Sequence, residues 1–318
     1  MKKMSRITMT AGIASAALIL SACSGDSDNG SGGSDGTISV ATSFYPITWL
    51  TEEIGGENVS VTSMTPANAE PHDFELSPAE IAEMGEADIV IYVKGFQPSL
   101  DQAVESISGP TIIDLSDQVD LEPLASGEES HSDEDHEADS HEDEHDHGDL
   151  DPHFWLDPVR MQSAADGVQQ ALSEASPDNS QLFESNLSAL DTELTDLDTS
   201  FETGLATCER RTIVTSHAAF GYLAKEYDLE QTSISGIDPE REPSPADLAA
   251  VKKVIQETGT TTVFTEELVS PKTAEALAEE AGADVAVLST LEGQPAEGDY
   301  LTTMNTNLET LRTALACN

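Results

Sequence analysis

Eight short runs rich in β-branched residues divide this chain into two sets of four, and the stretches between them carry helical periodicity. The first set is TISVAT (37–42), VSVTSM (59–64), DIVIYV (88–93) and TIID (111–114). The second is RTIVTS (211–216), QTSIS (231–235), TTVFTE (261–266) and DVAVLS (284–289). Each run has strand length and strand composition. Intervening segments such as SPAEIAEMGEA and SPADLAAVKKVIQETG open with a Ser-Pro pair, in which serine suits the N-cap and proline the first helical position. Strands separated by helices pair in parallel, because a parallel connection must cross over the sheet. The chain therefore reads as α/β, with two lobes that each hold a parallel sheet flanked by helices. At 318 residues it can bury one large core or two ordinary ones, and two sets of strands predict two.

The two sets are joined by an unbroken helical pattern. From Pro177 onward, Phe183, Leu187, Leu190, Leu194, Leu197, Phe201 and Leu205 recur at spacings of four and three, with no internal glycine before Gly204. This predicts a single helix of about 28 residues, a rod of roughly 40 Å at 1.5 Å per residue, bridging both lobes. A connector of that kind is stiff and permits only modest closing motion.

Lys2, Lys3 and Arg6 precede the uncharged stretch MTAGIASAALILSA, the basic and apolar regions of an export signal, too short to remain as a membrane span. It ends in Leu20-Ser21-Ala22-Cys23, which resembles a bacterial lipobox, and GDSDNGSGGSDG follows as a flexible tether. The expectation is a protein held outside the cytoplasm by a lipid on Cys23. Cys208 and Cys317 are then an even pair in an oxidising compartment, and a disulfide between them is expected. Acidic residues outnumber basic ones 61 to 13. That excess excludes nucleic acid and direct adsorption to an anionic membrane surface as partners.

The eight histidines are distributed unevenly. His131, His136, His141, His145 and His147 lie in GEESHSDEDHEADSHEDEHDHGD (127–149), a run too charged to bury a core. The other three are His72 in EPHDFELSP, His153 in DPHFWLDP and His217 in TSHAAFGYL. His72 and His217 follow predicted strands, and Glu266 in VFTEELVSP ends another. That edge of an open α/β sheet is where ligands bind. Three imidazoles and one carboxylate, two from each half, make a donor set suited to tetrahedral Zn²⁺, whereas Mn²⁺ favours a second carboxylate in place of an imidazole.

EPHDFELSP, DPHFWLDP, TSHAAFGYLAKEYDLEQ, SGIDPEREPSPADLA and VFTEELVSPKTAEALA together resemble the zinc-specific substrate-binding lipoproteins of ABC importers. This is the cluster A-I solute-binding family, which also holds manganese-binding members and adhesins. The resemblance covers essentially the whole chain after the leader. It implies two α/β lobes bridged by a rigid helix, one metal in the interlobe cleft, and His72, His153, His217 and Glu266 as its ligands, with Glu267 or water as alternatives for the fourth position. It also implies Tyr45, Asp238 and Glu242 as groups behind the ligands or at the contact between lobes. A histidine-rich acidic loop before the second ligand motif is typical of the zinc members, and here it reads as an auxiliary set of weak metal sites.

The expected division is a signal peptide at 1–22, a lipid-anchored linker at 23–36 and a first lobe at 37–157 that contains the 127–149 loop. A connecting helical segment follows at 158–206, and a second lobe at 207–318. The expected function is capture of Zn²⁺ outside the cytoplasm and its delivery, by a monomer, to a membrane permease. The competing readings are a binding protein of the same family for Mn²⁺ or another divalent metal, an adhesin-like surface protein and a zinc hydrolase. Against the last, the HExxH string HEDEH (141–145) falls inside the acidic run and the GxSxG string GGSDG (32–36) falls in the tether, and neither stands on a predicted amphipathic helix or at a predicted strand-to-helix turn, the settings that give those motifs their chemistry.

Overall fold

The computed structural model describes residues 37–123 and 150–318. The expected leader, Cys23, the tether and the histidines of the 127–149 run lie outside the described residues. All eight predicted strands form. In the first half β1 (Ile38–Thr42), β2 (Val59–Ser63), β3 (Ile89–Tyr92) and β4 (Thr111–Asp114) alternate with α1 (Tyr45–Gly55), α2 (Pro78–Met84), α3 (Pro98–Ser106) and the short α4 (Ser116–Val119). After α5 (Pro158–Ala175) and α6 (Ser180–Leu205), the second half runs β5 (Thr212–Thr215), α7 (Gly221–Glu226), β6 (Glu230–Ser233), α8 (Pro245–Thr258), β7 (Thr262–Thr265), α9 (Lys272–Ala281), β8 (Asp284–Val287) and α10 (Tyr300–Leu315). The two sheets share one topology, β2-β1-β3-β4 and β6-β5-β7-β8, with every pair parallel. The Ser-Pro signals act as read. Ser77 and Ser244 each accept the N3 amide, while Glu80 and Asp247 close the capping box onto the N-cap amide.

Burial differs from the expectation of two cores. Alternate residues of each strand face opposite ways. Val40, Ile89 and Ile91 of the first sheet and Ile213 and Phe264 of the second belong to one continuous apolar cluster with residues of α1, α5, α6 and α10. The outward residues form two satellites, Ala41, Val90 and Tyr92 with Met84 and Leu100, and Val214 and Val263 with Val251, Ile255 and Leu277. Both inner faces thus share one layer of helices.

The connector also differs in detail. Pro177–Asn179 forms a 3₁₀ turn, so α6 starts at Ser180 and has 26 residues, about 39 Å of rod. It does not act alone, because α5 packs along it, and α6 also touches α1 of the first half and α10 of the second. Phe183, Leu190, Leu194, Leu197, Phe201 and Leu205 make its buried stripe. Just beyond α6, Cys208 is disulfide-bonded to Cys317 at the end of α10. Among the described residues, no helix is long and apolar enough to cross a membrane.

Candidate metal centre

Each functional side chain is placed by a different local device. The loop after β2 carries His72, and Gln97, buried at the start of α3, holds it by donating to the Pro71 carbonyl (3.1 Å) and to Thr65 Oγ1 (2.8 Å). The Glu70 carboxylate accepts the backbone N–H groups of His72 (3.1 Å) and Asp73 (3.3 Å). The Phe96 ring meets the His72 ring edge-on at 4.6 Å. His153 enters from the segment before α5, fully buried, with Asp151 Oδ1 accepting both its backbone N–H (3.0 Å) and its Nδ1 (2.8 Å). His217 lies two residues beyond β5, and Glu266, which directly follows β7, receives its Nδ1 at 2.8 Å. Ser216 Oγ donates to the same carboxylate at 2.5 Å.

The fourth group is Glu292, in the loop after β8. Asn307 anchors that loop by accepting the Ser289 N–H (2.9 Å) and donating to the Ser289 carbonyl (2.8 Å). Trp155 Nε1 donates to Thr290 O (2.7 Å), which ties the loop to the His153 segment. The residue before Glu292, Leu291, has φ of 56°. A bulky residue in the left-handed region costs energy and is held there by its surroundings, a feature that gathers at ligand sites.

His72, His153, His217 and Glu292 are all buried, and one donor atom from each lies within 4.8 Å of the others. From Glu292 Oε1 the three Nε2 atoms are 3.5 Å (His72), 3.5 Å (His153) and 3.4 Å (His217) away. His153 Nε2 is 3.3 Å from that of His72 and 3.4 Å from that of His217. Five of the six edges of this tetrahedron are therefore nearly equal. The sixth edge, between His72 and His217, is within 4.8 Å; a regular tetrahedron with edges like the other five has its centre about 2.0–2.1 Å from each corner, the length of a zinc bond to nitrogen or carboxylate oxygen. Among the described residues, Glu292 Oε1 is buried with no hydrogen-bond partner, and 3.4–3.5 Å is too long for a good one. Because Asp151 and Glu266 take the Nδ1–H groups of His153 and His217, the neutral rings turn Nε2 lone pairs inward. A negative oxygen facing lone pairs requires a cation, either protons on the rings or a metal.

The electrostatics agree. Burial pulls the His217 pKa down, but the Glu266 and Glu292 carboxylates override it and raise it to about 10. His153 is also raised, with Asp151 and Glu292 overcoming burial, whereas His72 is lowered, chiefly by burial. Burial opposes the charge on Glu292, yet the three imidazoles hold its pKa well below the usual carboxylate range. Glu70 is pushed up to about 7, mainly by burial.

Of the sequence-predicted residues, the structure brings His72, His153 and His217 together. It does not bring Glu266 to the point of convergence. Glu266 is spent on the far side of the His217 ring, since a carboxylate directly after β7 reaches Nδ1 and not the cleft centre. Glu267 is exposed. Tyr45 lines a cavity of about 50 Å³ beside Glu292, while Asp238 and Glu242 are exposed in the loop before α8. Glu292 and Asp151 escaped sequence reasoning. The signal for Glu292 was present in STLEGQ, an acidic residue beyond the last strand of the second set, at the same sheet edge as His217.

Residues 40–314 match the family described as zinc-uptake complex component A, periplasmic (ZnuA). The high-affinity zinc uptake system protein ZnuA of Bacillus subtilis (strain 168) is 36% identical over 312 residues, covering 95% of this chain and 96% of that protein. Among solved structures, the laminin-binding protein Lmb of Streptococcus agalactiae, described as bifunctional with adhesin and metal transporting activity, aligns with a TM-score of 0.76. Its identity is 30%, over 87% of this chain and 99% of that one. The Zn(II)-bound ZnuA-like domain of Streptococcus pneumoniae AdcA aligns with a TM-score of 0.71 at 29% identity, over 88% and 99%. With the fold, the buried donor tetrahedron and likeness along nearly the full length of these relatives, the chain belongs to the ZnuA family, the cluster A-I solute-binding proteins.

Proposed function

We propose that the protein captures Zn²⁺ outside the cytoplasm in the tetrahedron of His72, His153, His217 and Glu292, and delivers it to the permease of an ABC importer. The observation that carries this reading is the near-equal set of 3.3–3.5 Å edges around an unpartnered carboxylate oxygen. Three nitrogens and one oxygen at that radius suit zinc, and manganese with its preference for more oxygen ligands is served less well. Four protein ligands fill a tetrahedral shell, whereas catalytic zinc keeps one position for water; capture is therefore favoured over hydrolysis. Glu266 and Asp151 orient rings and raise their basicity, and they are not ligands in this reading. The division into a first lobe (37–157), a helical connector (158–206) and a second lobe (207–318) gives the cleft two walls. A lipid on Cys23 tethers the monomer, and the 127–149 run gathers metal weakly. The test is metal analysis with competitive titration of the purified protein. One tight zinc equivalent, lost in His72→Ala and in Glu292→Ala, is expected, and tight binding that survives both substitutions contradicts the assignment.

A further inference from the structure

The zinc ligand His153 is held by a residue from the opposite half of the chain. Tyr222, the second residue of α7, is buried. Its hydroxyl donates to the Asp151 carbonyl (2.7 Å) and accepts the Glu122 N–H (2.8 Å). Asp151 N–H in turn donates to Glu122 O (2.9 Å), and Pro123 pairs with Leu150, so the two segments form a short ladder. Charges brace it from outside. Glu122 is ion-paired with both Arg160 and Lys225, and the Arg160 guanidinium lies 4.3 Å over the Tyr222 ring. Asp151 ends this ladder, and its Oδ1 takes the backbone N–H and Nδ1 of His153.

Gly221 supplies a second, independent sign that α7 is fitted to Asp151. A Cβ on Gly221 would stand 2.7 Å from Asp151 Oδ2, closer than carbon and oxygen approach without displacement. We propose that Tyr222, with Gly221, is a positioning residue for zinc, fixing Asp151 and through it the Nε2 of His153. The inference rests on the zinc-capture reading above. Outer partners of ligating histidines typically carry 10–100-fold in metal affinity, and a residue that fixes such a partner acts on the same scale.

The test uses the full chain and zinc alone, with chelator competition for affinity and stopped-flow release for rate. Tyr222→Phe keeps the ring and removes only the hydroxyl. It should weaken zinc binding roughly tenfold, mostly through faster release. Asp151→Asn should weaken it at least as much, and the double variant should be little worse than Asp151→Asn alone, because residues acting through one another are not additive. Gly221→Ala should lose zinc affinity while keeping or improving helix stability, since alanine is the better helix former. Tyr227→Phe, which removes a comparable buried hydroxyl bonded to Asp198 at 3.0 Å, should stay within about twofold of wild type. The proposal is overturned if Tyr222→Phe binds like wild type, if its effect persists in full on the Asp151→Asn background, or if Tyr227→Phe costs as much. Wild-type protein that takes up no tight zinc overturns the capture reading itself, and this one with it.

Discussion

Lowering the pH from 8 to 6 should weaken zinc binding by at least about 100-fold, because the metal must displace a proton from His217. With its pKa raised to about 10 by Glu266 and Glu292, that ring carries a proton across the whole interval, and one displaced proton gives a tenfold change per pH unit, about 1.4 kcal/mol. His153, also raised, adds a second proton as the pH falls, so the slope steepens toward acid. His72 is lowered and contributes none near neutrality. Three unperturbed imidazoles with pKa about 6.5 would instead leave affinity flat above pH roughly 7.5. Chelator competition at half-unit steps measures the slope, and calorimetry in two buffers of different ionisation heat counts protons directly. A slope near one at pH 7 to 8, with about one proton released per zinc, is expected. Glu266→Gln should reduce that slope, since it removes a carboxylate from Nδ1. Affinity that does not change between pH 7 and 8 refutes the argument.

The same network makes the metal-free protein sensitive to alkali. The stability contributed by protonated His217 is fully present below its unfolded pKa of about 6.5 and is lost as the pH rises through about 10; thermal melts of metal-free protein should decline over that window, and less in Glu266→Gln. Glu266→Gln should weaken zinc 10–100-fold as an outer partner, and Glu292→Ala should weaken it more, as read by competitive titration. Breaking the Cys208–Cys317 bond, which closes a separation of 109 residues, should cost about 2–5 kcal/mol in denaturant unfolding and leave one tight zinc per chain. Excising 127–149 should also leave that equivalent while removing weaker ones, and growth should suffer mainly when zinc is scarce.

Much of this architecture was legible because local signals agreed with the fold. The β-branched runs, the Ser77-Pro78 and Ser244-Pro245 helix starts and the 3-4 stripe of α6 each depend on neighbours in sequence, and each formed. The three histidines were legible because His72 and His217 follow strands, His153 closely follows the acidic run, and the other imidazoles all lie in that run. The carboxylate was not. Nearness to a strand end favoured Glu266, but which way a side chain points past a strand depends on the loop that follows. Glu292 reaches the centre only because Leu291 turns left-handed and Trp155 and Asn307, both distant in sequence, pin its loop. Asp151 was hidden for a similar reason, since its role comes from Tyr222 and Glu122 across the chain. The shared central core depends on how both sheets meet α5 and α6, which no local pattern records.

The central claim is that one zinc ion sits among His72, His153, His217 and Glu292. Anomalous diffraction at the zinc edge from crystals loaded with one equivalent tests it most directly. The account predicts a single strong peak about 2.0–2.1 Å from the three Nε2 atoms and Glu292 Oε1, with Glu266 on His217 Nδ1 and outside the coordination shell. A peak bonded to Glu266 in place of Glu292, or a principal peak outside this cleft, would contradict it.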